Sequence, residues 1–99
     1  MPVLTVDLQE GFADDHVTVL VDDRAVFDRR GVRTRYEIGF AARAEIELDR
    51  GAHKVCILLP DKGEVAETTG DTQSVSHVGV ERAEGQVIMR PSAEPFRYM

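Results

Sequence analysis

The sequence has no asparagine, only one cysteine, no long apolar run and no recognisable catalytic signature. Each absence narrows what the chain can be. Without asparagine, backbone positions that need a positive φ fall mainly on the eight glycines, with aspartate next in line. With Cys56 alone, no internal disulfide can form, which suits a reducing compartment, and a cytoplasmic protein is expected. The longest apolar run, Val55-Cys56-Ile57-Leu58-Leu59, has the length of a buried strand and falls far short of the roughly 18 residues of a membrane span. The stretch from Met1 to Asp7 has neither a basic start nor a long apolar segment, so no secretory signal is expected.

The usual chemical constellations are missing too. His53 and Cys56 are three apart, which on a strand turns them to opposite faces, and His16 and His77 have no closely spaced ligand partner. No metal or cofactor is therefore expected, and Cys56 reads as an inert core thiol. Ser76 and His77 are adjacent and, on a strand, would face opposite ways, so they are not expected to form a dyad. No glycine elbow surrounds any serine. Asp14-Asp15 and Asp22-Asp23 lack the spaced oxygens that calcium needs and read as solvated turn aspartates. A non-enzyme is expected. The rival is a small enzyme using His16 or His77 with nearby aspartates.

What is present is alternation. Leu4, Val6 and Leu8 interleave with Thr5 and Asp7, predicting a strand with one wet face. Val17, Val19 and Val21 predict a second, and Arg24 to Phe27 a short return across a two-residue turn with Asp23 left-handed. Gly11 to Asp15 reads as a turn, and residues 28–40 as irregular with a strand fragment over Tyr36, Ile38 and Phe40. Ala44, Ile46 and Leu48 alternate with glutamates, and 55–59, apolar on both faces, predicts a central strand. Further strands are expected near 65–69, 74–80 and 86–89. Asp49-Arg50-Gly51, Asp61-Lys62-Gly63 and Ala83-Glu84-Gly85 punctuate these runs as hairpin turns. Side-chain parity favours a two-residue turn at Arg50-Gly51 that sets Ile46 opposite Val55. The expected fold is all-β: a single antiparallel sandwich of seven or eight short strands, immunoglobulin-like, over residues 1–90, with a tail at 91–99. A small β-barrel is the alternative.

A net charge of −6 argues against nucleic acid or an anionic membrane as partner. The charge is uneven. Residues 1–23 carry six acids and no Lys or Arg, whereas 24–43 carry six arginines against Asp28 and Glu37. Arg29, Arg30, Arg33 and Arg35 could present guanidinium forks to an acidic protein surface or a small anion, or else pair with the chain's own acids. In the tail, Phe96 and Tyr98 beside Pro95 are costly to expose. They either fold back over an open edge or end of the sandwich, or dock on a partner or a second copy, which would make a homodimer.

Two segments, Val17 to Phe27 and Leu48 to Val55, resemble small bacterial β-sandwich modules of the PEGA or carboxypeptidase-regulatory type, over about a fifth of the chain. Asp22-Asp23 stands where such hairpins usually read Asp-Gly. The resemblance is structural and implies no catalytic residues; otherwise the chain has the look of a stand-alone bacterial protein. The reading it supports is a non-catalytic binding module contacting an acidic partner through 29–43. A structural homodimer formed through an edge strand is a further alternative.

Overall fold

The computed structural model describes residues 2–35 and 37–98. Eight strands follow one another: β1 (Val3–Leu8), β2 (Ala13–Val21), β3 (Arg24–Arg33), β4 (Ala42–Glu47), β5 (Ala52–Leu59), β6 (Glu64–Asp71), β7 (His77–Ala83) and β8 (Gln86–Ser92). They form two four-stranded sheets, β4-β1-β7-β8 and β3-β2-β5-β6. The fold is the expected all-β sandwich. It is not the alternative barrel, because both sheets stay open, with β4 and β8 at the edges of one and β3 and β6 at the edges of the other. Nor is it wholly antiparallel: Thr5–Leu8 of β1 runs parallel to His77–Val80 of β7. No short turn links these two strands, so nothing in the connection forces the antiparallel sense.

Valine-rich alternation builds the core. Leu4, Val6 and Leu8 face Val17, Val19, Val21, Val55, Ile57 and Leu59 across the sandwich, with Val78, Val80 and Phe12 closing it. Phe12, from the β1–β2 connection, is the largest fully buried side chain. At roughly 1.5–3 kcal/mol per buried large apolar side chain, this cluster dominates the favourable side of folding.

The turns explain the hairpins. Asp22 and Asp23 both adopt positive φ, 51° and 68°, so Val21 pairs directly with Arg24. Asp22 offsets the strain by accepting the Lys54 N–H at 3.0 Å. Glu84 and Gly85 make a second two-residue turn, with φ of 54° and 76°. At the third, a 3-10 turn over Pro60–Lys62 and left-handed Gly63 join β5 to β6.

The expected hairpin at 49–51 does not form. Ile46 pairs with Leu4, and Val55 with Val21 and Thr68, so β4 and β5 lie in different sheets and residues 48–51 cross between them. Parity sees only that Ile46 and Val55 both face the core, which two facing sheets satisfy as well as one.

Other departures have local causes. β2 starts at Ala13, inside the expected turn, through bulges around Asp14 and His16, and Asp14 has φ of 60°. β3 continues through the supposedly irregular 28–33; as an edge strand exposed on both faces it carries no alternation for a reader to find. Tyr36 lies outside the described residues, while 37–39 turn and Phe40 bridges Arg35. β7 begins only at His77, after a turn at 72–74. β8 runs to Ser92, past the boundary expected at residue 90; its edge position tolerates Pro91. Cys56 is not in the core: it stands half-buried on the outer face beside Leu20 and Glu67.

Candidate functional site

The register places the arginines on the free edge of β3. Val17 pairs with Arg29 and Val21 with Arg24, so these two arginines share the inner side of the sheet, whereas Asp28 pairs with Thr18 on the outer side, with Arg30 following it. Arg29 stacks over the Phe27 ring at 5.1 Å. The molecule's other cations are largely occupied: Arg43 with Asp7, Lys54 with Asp23, Lys62 with Asp15, Arg82 with Glu64 and Arg90 with Glu81. Among the described residues, no carboxylate lies within 4.0 Å of a guanidinium nitrogen of Arg24, Arg29, Arg30, Arg33 or Arg35.

The nearby acids are engaged elsewhere. Asp22 takes His53, Asp23 takes Lys54, and Asp28 accepts from Thr18 and meets His16. Asp15 is buried, which raises its pKa, but the Lys62 ammonium and the Ala13 N–H outweigh burial and hold it below the usual value.

The histidines have partners that their positions in the sequence hide. His53 Nδ1 lies 2.6 Å from Asp22 Oδ2 and Nε2 lies 2.7 Å from the Asp49 carbonyl. Both neighbours are acceptors, so both ring nitrogens must donate, and the imidazolium is favoured. Its pKa is raised, first by Asp22 and then by the Asp49 carbonyl. His16 Nε2 sits 2.5 Å from Asp28, which the histidine and Thr18 hold below the ordinary aspartate pKa. Ser76 Oγ does reach His77 Nδ1, at 2.7 Å, contrary to the expected divergence. Ser76 precedes the strand, so alternation does not bind it. The same hydroxyl also reaches the Ala93 carbonyl at 3.1 Å. Neither His16 nor His77 lines a groove described below. Among the described residues, no three His, Cys, Asp or Glu side chains are grouped to hold a metal.

The tail forms a separate polar centre. Across the sheet β4-β1-β7-β8 one outer-face row reads Arg43, Asp7, Gly79, Arg90. Asp7, expected on a wet face, is fully buried. Arg43 donates to it through Nε at 2.8 Å and a terminal nitrogen at 3.3 Å, and the Tyr98 hydroxyl donates at 2.7 Å. Gln9 Nε2 donates to Tyr98, and Arg90 donates to Gln9 Oε1, both at 3.0 Å. Gly79 leaves the space: a Cβ there would come within 2.9 Å of Phe96 and 2.8 Å of Gln9. Burial foremost, and then the Asp7 carboxylate, lift the Tyr98 hydroxyl to a pKa of about 12, against the opposing Gln9 bond. The tail thus folds over a sheet face and not over an edge or end.

Two of the grooves bear on these features. One, of about 320 Å³, lies between Ile38-Gly39, the tail and the ends of β7 and β8, with Glu10, Glu81, Arg90 and Arg97 on its walls. The other, of about 350 Å³, separates the start of β3 from the end of β4, with Val21, Val26, Ile46 and Leu48 within and Asp22, Arg24, Glu47, Asp49 and His53 among its lining. The structure brings the Phe40–Arg43 end of segment 29–43 against Tyr98, through a ring contact at 5.1 Å, while Arg29, Arg30 and Arg33 stand on the other sheet. The Asp7–Tyr98 centre carries no sequence signal beyond the aromatic tail itself. No family model matches this chain, and no curated protein or solved structure does.

Proposed function

We propose that this chain is a non-catalytic binding module that takes an acidic protein partner through the β3 arginines, chiefly Arg29, Arg30, Arg33 and Arg35. One observation carries the reading: the arginines of this strand lack carboxylate neighbours while five cations elsewhere have them. Exposed ion pairs are worth only about 0.2–1 kcal/mol each, so several are needed together, and a cluster on one strand provides that. The role fits the small β-sandwich modules that residues 17–27 and 48–55 resemble, and the lone thiol fits a reducing compartment.

The test is binding of a labelled oligoglutamate at low salt, by fluorescence anisotropy, to the wild type and to Arg29→Ser/Arg30→Ser/Arg33→Ser. The expected result is salt-sensitive binding that weakens about tenfold or more in the triple variant, from three contacts of that size. Its melting temperature should barely move, because the replaced side chains are exposed and hold no internal carboxylate. Equal binding by both proteins, or none by either, ends the proposal.

A further inference from the structure

We infer that the acidic partner enters as an extended segment, adding a strand to the free edge of β3 and seating one apolar side chain in the groove between β3 and β4. The inference rests on the acidic-partner reading above. β3 spans ten residues and is the last strand of its sheet, with β2 on one side and no strand on the other among the described residues. Its unpaired backbone groups are a template for pairing.

Charge placement selects the mode of entry. Arg24 and Arg29 lie on the inner side of the sheet and Arg30 on the outer side. A ligand lying against one face meets only one set. A chain lying in the plane of the sheet, along the edge, sends alternate side chains to both sides and reaches both sets. The same arginines repel another copy of β3, so the edge discriminates by charge.

The groove supplies an anchor. It opens beside the first residues of β3, where the bulged Val26 is 41% exposed and Ile46 and Leu48 line the opposite wall. Asp22, Glu47 and Asp49 also line it and disfavour a carboxylate there. The fitting segment therefore carries an apolar residue at the groove end and acids toward Arg29–Arg33. Main-chain pairing supplies affinity in such complexes and the pockets supply specificity.

The probe is a labelled peptide of alternating glutamate and valine with a leucine at one end, compared with the same peptide N-methylated at alternate amides. Binding is read by anisotropy and the β3 amides by hydrogen exchange. Expected are slowed exchange within 24–33 on binding, about tenfold weaker binding for Arg29→Ser/Arg30→Ser, and at least tenfold weaker binding for the N-methylated peptide. Binding that survives N-methylation without slowed β3 exchange, yet still falls in the arginine variant, overturns strand addition and leaves the acidic-partner reading intact. No binding, or no arginine effect, overturns both. Concentration-dependent self-association in sedimentation that the arginine substitutions abolish would make a second copy the occupant, and so overturn the peptide assignment.

Discussion

Replacing Tyr98 by Phe removes one oxygen and leaves the ring against Phe40. That oxygen donates to Asp7 at 2.7 Å and accepts from Gln9 at 3.0 Å. Asp7 keeps its two Arg43 contacts, so it is not stranded, but it loses a charge-assisted bond worth about 1.5–3 kcal/mol. Gln9 is only 5% exposed, and its Nε2 loses an acceptor. Tyr98 itself is only half-buried, which argues for the lower half of the combined range, about 2–3 kcal/mol. At about 4–8 °C per kcal/mol for a domain of this size, the melting temperature should fall by about 10–20 °C. The assay is thermal and urea unfolding of both proteins followed by circular dichroism. A fall below about 3 °C would refute the view that this hydroxyl ties the tail to the sheet. A second signature comes from pH. The hydroxyl titrates near 12 in the folded chain against a reference of 10.0. Its stabilisation is therefore complete below pH 10 and is lost as pH rises toward 12, and Tyr98→Phe should lack that loss.

Two further outcomes follow from other contacts. His53 has a raised pKa and Asp22 a lowered one, from references of 6.5 and 3.8, so their pairing is at full strength between about pH 4 and 6.5 and its histidine share fades as pH rises through the folded value. The stability advantage of wild type over His53→Gln should shrink between pH 6 and 9, and an NMR titration of the His53 ring with its midpoint at or below 6.5 would overturn this. Gly11, with φ of 91°, has its missing Cβ 1.7 Å from the Arg82 carbonyl oxygen, so Gly11→Ala should cost more than about 3 kcal/mol and yield little folded protein; a cooperative melt near that of the wild type would contradict it.

Legibility in the sequence followed burial. β1, β2, β4 and β5 pair their apolar residues with a single dry face, and their alternation could be read directly. β3 could not: only Val32 is buried in it, so its strand character comes from pairing with β2 and leaves no trace in hydropathy. Sheet membership was equally hidden, because Ile46 and Val55 obey the same inward rule from opposite sides. The arginine cluster was visible as composition, but its lack of internal partners depends on where Asp22, Asp23 and Asp28 turn, which only the tertiary pairing decides. Asp7 looked solvated because an outward aspartate on a strand normally is. Its burial is the work of residues some ninety positions away, with |i−j| of 91 to Tyr98.

The parallel pairing of β1 with β7 bears on how the chain is made. β1 occupies an interior place in its sheet, yet its second neighbour begins only at His77. At about 5–20 residues per second, a ribosome needs roughly 4–14 s between the two strands. Throughout that interval β4 can shield one side of β1, while the other offers bare hydrogen-bonding groups to any extended chain nearby. The β2–β3 and β5–β6 hairpins can close as they emerge, so one sheet matures during synthesis and the other waits for the last quarter of the message. Slow translation or a premature stop before residue 77 should therefore leave a half-built sandwich whose exposed seam is the N-terminal strand.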